Sequence, residues 1–343
     1  MLFLAVLLTC FVAPQGQVGG PAPELDATEW FTSRPLTLAE LRGRAVLAVA
    51  LRTWSEPCKG LAAELSSRAE SDAAKGLVVI GLFADEDPET IERWIREQRA
   101  RFPIARLGSR EFERAAALDG FPHAAVIDPI GTLVYGDDYG TSGGAVDAAL
   151  ADAHKPTKLA PKLARVRDLA LAFEHEKAWA ALAKATELAD ADASEAERWR
   201  AWLAGRVPAR LERAKTLAES GAVREAVETL DGVLAAKPPY PAAGDVRAFL
   251  DGLAKQPDYR AELAAGEAYA DARELERRGA YLDAARAYRE LAKQHAKLRI
   301  AKAATARAKS LIERGLPGLD WSCEPCKRAN KACPKHLVKI DDP

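Results

Sequence analysis

Apolar residues form two kinds of pattern in the first half of the chain. Residues 45–51 and 76–83 are continuous apolar runs, which are typical of central strands buried on both faces of a sheet. Between them, residues 57–74 carry apolar positions at helical spacing. Residues 87–101 predict a second helix, because Pro88 stands early and acidic residues occupy the first turn. Strands and helices therefore alternate here.

Shorter apolar segments complete this half. Residues 103–107 and 123–128 predict strands, and a turn at Asp128-Pro-Ile-Gly131 precedes a further strand over residues 132–136. The last two strands are therefore expected to form a hairpin. Alternating strands and helices that end in a hairpin predict a three-layer α/β domain, a central sheet flanked by helices, over residues 19–153.

The second half, residues 154–316, has a different composition. Ala, Leu, Glu, Arg and Lys dominate, and no strand-like run occurs, so an all-α domain is predicted. Pro238-Pro-Tyr-Pro241 predicts a loop within it. Three segments share one spacing of Leu, turn residue and Ala: Leu171-His175-Ala180, Leu217-Gly221-Ala226 and Leu275-Gly279-Ala284. They resemble tetratricopeptide helical hairpins. Their separations of 46 and 58 residues differ from that family's regular 34, so single hairpins are expected instead of a regular array.

Charge and the N-terminus narrow the class of protein. The 343 residues include 49 Lys and Arg against 50 Asp and Glu, so the chain lacks the positive excess that nucleic-acid binding requires.

Residues 1–13 are uncharged and mostly apolar, and they are too short to span a bilayer as a helix. Residues 1–18 are therefore predicted to be a secretory signal peptide, although no Lys or Arg precedes the apolar run. Leu7-Leu-Thr-Cys10 weakly resembles a lipoprotein box. Export to the periplasm or the extracellular space follows, with membrane attachment only if this segment is retained or lipidated.

A short motif follows the first central strand. Trp54-Ser-Glu-Pro-Cys58 resembles the Trp-Cys-x-Pro-Cys site of the thioredoxin-like TlpA/ResA group, which is related to AhpC/TSA proteins. Residues 20–25 and 38–47 are similar to that group's entry motif and to its lead-in to the first central strand. Residues 120–131 match the segment where the group places a cis-proline beside the site, here Pro122. The resemblance implies a thioredoxin-like fold over residues 19–153. It also implies a site made of Trp54, Ser55, Pro57, Cys58 and Pro122.

One replacement in this motif alters its chemistry. In the family, the first cysteine lies at a helix N-terminus that stabilises its thiolate, and the second cysteine resolves the mixed disulfide. Ser55 replaces the first cysteine, and Cys58 has the resolving position. A serine hydroxyl needs an adjacent base to act as a nucleophile, and the sequence shows none nearby. We therefore expect dithiol–disulfide turnover at this site to be lost.

Three interpretations of the altered motif remain open. The domain is a redox-inactive scaffold that binds partners, or Cys58 carries out monothiol chemistry, or Ser55-x-x-Cys58 corresponds to the Thr/Ser-x-x-Cys site of peroxiredoxins. The last family also has a proline seven residues before its cysteine, where this chain has Leu51. His123, next to Pro122, is a further candidate neighbour of the site.

The C-terminal tail, residues 317–343, holds the remaining candidate chemistry. Cys323, Cys326, Cys333 and His336 offer three thiolates and one imidazole, a set that can close a tetrahedral zinc site. A disulfide, a redox-active dithiol or a bond from a tail cysteine to Cys58 are the alternatives. Lys327 stands where a c-type haem motif needs histidine, which argues against haem. No other cofactor is expected.

Taken together, the leading hypothesis is an exported thioredoxin-fold protein with an impaired dithiol site that binds protein or peptide partners. Its helical domain is expected to supply a second protein-binding surface. The competing hypothesis is a thiol–disulfide oxidoreductase or thiol peroxidase that uses Cys58, with the tail Cys-x-x-Cys as its resolving partner. A third is a metal-binding module in the tail.

Overall fold

The computed structural model describes residues 18–155, 159–278 and 280–313. By its internal contacts the chain divides into two compact units, Met1–Leu203 and Ala204–Pro343.

The first unit contains a six-stranded mixed sheet in the order β1-β4-β3-β2-β5-β6. The strands β2, β3 and β4 are parallel, while β1 is antiparallel to β4 and β5 is antiparallel to β2. The strands β5 and β6 form the predicted antiparallel hairpin. The strands are β1 Ala27–Trp30, β2 Ala45–Leu51, β3 Leu77–Phe83, β4 Ile104–Leu107, β5 His123–Ile127 and β6 Leu133–Asp138.

Helices flank this sheet, and the two predicted from apolar spacing, α1 and α2, are confirmed within a few residues. Helix α2 begins where Asp87 accepts a hydrogen bond from the Thr90 amide at 2.9 Å and Pro88 occupies the first turn. The helices that begin in the first unit are α1 Glu56–Ser71, α2 Pro88–Gln98, α3 Glu111–Ala115, α4 Gly143–Ala151, α5 Pro161–Leu171, α6 His175–Ala183 and α7 Asp190–Glu219.

The central strand β2 separates two apolar cores. All seven of its residues are buried, as the unbroken apolar run predicts. Leu47 and Val49 face a core shared with α1, α2 and α4. Ala48 and Ala50 face a second core that includes Phe112 of α3. Because side chains alternate along a strand, one apolar run supplies both layers of packing, and the predicted central sheet flanked by helices is confirmed.

The first compact unit extends beyond residue 153, where the change in composition predicts a domain boundary. Arg34 donates two hydrogen bonds to Glu195 at 2.9 and 3.1 Å, which ties α7 to the loop after β1. His175 of α6 lies with its Nε2 atom 2.8 Å from the Phe31 carbonyl oxygen. These long-range contacts join helical sequence to the sheet, and composition alone does not reveal them.

The second unit is helical throughout its described residues. Its helices after α7 are α8 Val223–Thr229, α9 Ala243–Ala254, α10 Tyr259–Arg277, α11 Tyr281–Gln294 and α12 Ile300–Glu313. Fully buried Tyr288 lies in the core formed by α10, α11 and α12. The proline-rich segment 238–241 lies between α8 and α9, as predicted. The likeness to tetratricopeptide hairpins stays a prediction, and Gly279 of the third segment lies outside the described residues.

Two groups of predictions also fall outside the described residues. They concern residues 1–17 of the expected signal peptide and the tail residues Cys323, Cys326, Cys333 and His336. Among the helices that the structure describes, none has the length and apolar character needed to cross a bilayer. Within the same part of the chain, no three His, Cys, Asp or Glu residues come together in a way that could hold a metal ion.

Candidate functional site

Sheet topology brings the two halves of the predicted site to one edge. Strand β2 ends at Leu51, and antiparallel β5 begins at His123, which pairs with Ala50. Trp54, which follows β2, and Pro122, which precedes β5, therefore lie at the same edge of the sheet. The peptide bond between Phe121 and Pro122 is cis, as the family resemblance implies. We call this edge, where β2, β3, β4 and β6 end, the site edge.

Ser55 and Cys58 occupy different positions at the start of α1, and both are buried, with Ser55 at 7 % exposure. Ser55 is the N-cap residue with φ −83° and ψ 116°, and its side chain accepts no capping hydrogen bond. Pro57 stands in the first helical turn. Cys58 is 0 % exposed and belongs to the apolar core that contains Leu65. It is a free thiol. The hydroxyl is thus at the helix tip, while the sulfur is one turn further in and fully covered.

Aromatic rings line the surface beside Pro122. Trp54 is 68 % exposed, an unusual fraction for a large apolar side chain. Its ring meets that of Phe121 edge-on, with the ring centroids 6.0 Å apart and the planes at 82°. The Arg52 guanidinium carbon lies 3.9 Å from the Phe121 centroid. Phe121 is therefore held by an aromatic contact and a cation–π contact, and Trp54 presents free apolar surface.

A buried ion pair lies beneath these rings. Arg52 is 4 % exposed, and its guanidinium donates to Glu113 of α3 at 2.8 Å and to the Leu51 carbonyl at 2.7 Å. Glu113 is 0 % exposed and also accepts a hydrogen bond from Arg110 at 2.8 Å. Burying both charges is costly, so each depends on the other for compensation. The sequence motif does not mark this pair, although an arginine directly after a wholly apolar strand is a signal for it.

Glu86 fixes the loop that carries Trp54. Its carboxylate oxygens lie 3.0 and 3.3 Å from the Thr53 amide nitrogen, which donates to them. Burial raises the pKa of Glu86, and the charge of Asp87 acts in the same direction. The hydrogen bonds from Thr53 and the charge of Arg52 oppose this rise in pKa. The loop after β3 therefore supports the loop after β2, a connection that the sequence pattern does not predict.

His123 lies at the site edge, as its place beside Pro122 predicts. Its Nδ1 atom is 3.3 Å from the Asp119 carboxylate, and its side chain is largely buried. A Cβ atom at Gly120 would lie 2.2 Å from the His123 Nε2 atom, so this position needs glycine. The His123 side chain thus contacts the loop that precedes its own strand.

Comparison with known proteins gives a consistent result for this part of the chain. Residues 18–135 match the AhpC/TSA family. The thiol-disulfide oxidoreductase ResA of Bacillus anthracis is 24% identical over 118 residues, which are 34% of this chain and 68% of that protein. The same figures hold for the ResA of Bacillus thuringiensis (strain Al Hakam).

Solved structures also resemble part of the chain. A thioredoxin-like superfamily protein is 24% identical and matches 40% of this chain and 99% of its own, with a TM-score of 0.35. A thiol-disulfide isomerase from Corynebacterium glutamicum is 23% identical and matches 38% of this chain and 97% of its own, with a TM-score of 0.34. Residues 18–135 therefore form a thioredoxin-like domain that is similar to the AhpC/TSA family and to the ResA proteins.

Proposed function

We propose that this domain binds extended segments of partner proteins beside Pro122 and does not carry out dithiol–disulfide turnover, in a protein that is exported. The observation that carries the proposal is the placement of a hydroxyl, Ser55, at the helix tip while Cys58 is fully buried. The relatives are described as thiol-disulfide oxidoreductases, whose chemistry requires two sulfur atoms.

The physical reason lies in the two side chains. Serine forms a useful nucleophile only when a base takes its proton. Glu86, the carboxylate tied to this loop, is engaged with the Thr53 amide. Cys58, at 0 % exposure, has no surface from which to attack a partner disulfide or a peroxide. The arrangement therefore favours binding over monothiol or peroxidase chemistry.

Binding is supported by the surface beside the site. Trp54 offers an exposed ring, and Phe121 is held rigidly beside it by Arg52. Large, rigid aromatic surfaces are favoured anchors in protein recognition, because little side-chain entropy is lost when they are covered. Serine at position 55 leaves the surface of Trp54 and Phe121 in place, so the domain is able to bind partner proteins without the redox reaction.

An insulin-reduction assay tests the redox part of the proposal. We expect near-background activity from the natural chain and at least a tenfold gain in Ser55→Cys, since a thiol at the helix tip ionises far more readily than a hydroxyl. The matched control, Ser55→Cys with Cys58→Ala, is expected to lose that turnover because its mixed disulfide has no resolving thiol. Appreciable turnover by the natural chain that Cys58→Ala abolishes would establish the oxidoreductase alternative.

Export and the tail need separate measurements. Export rests on the apolar N-terminal run, and a shortened mature chain recovered outside the cytoplasm is the expected result. For the tail, metal analysis together with free-thiol titration of the purified full chain separates zinc at Cys323, Cys326, Cys333 and His336 from a disulfide. Stoichiometric zinc supports the metal site, and its absence with fewer free thiols than cysteines supports the disulfide.

A further inference from the structure

The site edge carries a concentration of negative charge. Six exposed carboxylates come from segments that the topology places there: the start of α1, the loop after β3, the loop before β5 and the end of β6. We call them the acidic rim: Glu56, Asp85, Asp87, Asp119, Asp137 and Asp138. Because the whole chain has a net charge of only −1, this is a local excess and not a general property of the molecule.

Three basic residues at or near this edge are paired with carboxylates. Arg52 is buried against Glu113. Arg110 lies 2.8 Å from Glu113 and 3.8 Å from Asp85. Lys59 pairs with Glu56 of the same helix. Arg110 therefore offsets part of the charge of Asp85, while Asp119 and the two aspartates that end β6 form no ion pair with a lysine or arginine among the described residues.

Some residues of the rim are connected to the aromatic surface of the site through shared neighbours. Arg110, the neighbour of Asp85, lies 5.7 Å from the Phe121 centroid. Asp119 contacts His123, and His123 pairs across the hairpin with Asp138. Contacts thus run from both sides of the rim to the rings beside Pro122.

The two edges of the sheet differ in the balance of their charged residues. The opposite edge carries charge of both signs, with Arg42, Arg44 and Lys75 near Asp72, Asp128 and Asp152. Lys75 is paired with Asp72 there. The acidic rim therefore differs from an edge on which basic and acidic residues are mixed.

We propose that the segment bound beside Pro122 is basic: an extended stretch of a partner protein that places lysine or arginine against the Trp54 ring and the acidic rim. This inference rests on the proposed function and names the class of partner. A cation over the exposed tryptophan face gains a cation–π contact, and neighbouring positive charges face the carboxylates. An acidic segment meets like charge at the same place and is excluded.

Binding of labelled peptides to the full chain, followed by fluorescence anisotropy, tests this inference. Three extended peptides of equal length and equal apolar content carry lysine, serine or glutamate at alternate positions. We expect the lysine peptide to bind roughly tenfold more tightly than the serine peptide at low salt, and the glutamate peptide to bind most weakly. The difference is expected to shrink at about 0.5 M sodium chloride, because exposed charges are then screened within a few ångströms.

Two triple variants with the same change in charge provide the control. The first triple variant removes three charges of the rim: Asp85→Asn, Asp119→Asn and Asp137→Asn. Asparagine suits position 85 because φ is positive there, at 61°. The second triple variant removes three exposed charges away from the rim: Glu70→Gln near the end of α1, Asp147→Asn within α4 and Asp152→Asn directly after α4. The first triple variant is expected to lose most of the preference for lysine while it keeps its affinity for the serine peptide. The second is expected to keep both.

The outcomes separate the two proposals. Equal binding of the lysine and serine peptides, or an equal loss of preference in both triple variants, overturns the basic specificity and leaves peptide binding intact. Failure of all three peptides to bind the natural chain overturns both the specificity and the proposed binding function.

Discussion

The core and the site edge of the thioredoxin-like domain differ in the interactions that hold them together. In the core, β2 is apolar throughout, and it packs on both faces against layers that include Phe112 on one side and Leu65 on the other. At the site edge, Ser55 replaces a cysteine, and a buried ion pair lies below the rings. The comparison teaches that apolar packing maintains the fold, while the loops at the site edge carry the residues on which the proposed change of chemistry depends.

The largest effect on stability that separates these regions is expected from Arg52→Ala. Glu113 would remain fully buried with its charge compensated by Arg110 alone, so the free energy of unfolding is expected to fall by about 3–5 kcal/mol. Chemical denaturation of the natural chain and the variant measures this difference in the free energy of unfolding. Replacing the pair together, Arg52→Met with Glu113→Leu, is the control, and it is expected to recover most of the loss. If Arg52→Ala has the stability of the natural chain, the ion pair does not support this edge.

A smaller effect, confined to binding, is expected from Trp54→Ala. Loss of the exposed ring is expected to raise the dissociation constant of the lysine peptide about tenfold, while the unfolding midpoint stays nearly unchanged. Ile130→Ala removes a side chain of similar exposure, 79 %, at the opposite edge of the sheet. An equal loss of affinity in both variants would show that the site edge is not the binding surface.

The smallest effect concerns the pH dependence contributed by Glu86. Because burial raises its pKa in the folded chain, the folded state holds this proton more tightly than the unfolded state. Stability contributed by Glu86 therefore decreases as pH rises from the ordinary pKa of a glutamate to the raised one. Glu86→Gln is expected to remove that decrease while an amide oxygen still accepts from Thr53. Thermal unfolding of both chains across this pH range measures the difference, and identical pH profiles would contradict it.

Much of the domain could be predicted from local sequence. The runs 45–51 and 76–83 predict β2 and β3 closely because continuous burial needs continuous apolar residues. The motif from Trp54 to Cys58 predicts the helix tip, because proline and the N-cap position are local features. Each of these signals lies within a few neighbouring residues, so it predicts its strand or helix end without knowledge of the tertiary fold.

The remaining features depend on contacts between distant residues. Arg52 and Glu113 are 61 positions apart, and nothing local marks them as partners. The acidic rim comes from segments scattered between residues 56 and 138, and only the strand order places them together. The extent of the first compact unit depends on contacts such as Arg34 with Glu195, which cross the change in composition at residue 153.

The central claim is that the chemistry at the site edge changed while the fold was retained, and insulin reduction by the natural chain beside Ser55→Cys tests it most directly. The account predicts turnover near background for the natural chain and a gain of at least tenfold when sulfur is restored at position 55. Rapid turnover by the natural chain, with no gain in Ser55→Cys, would contradict it.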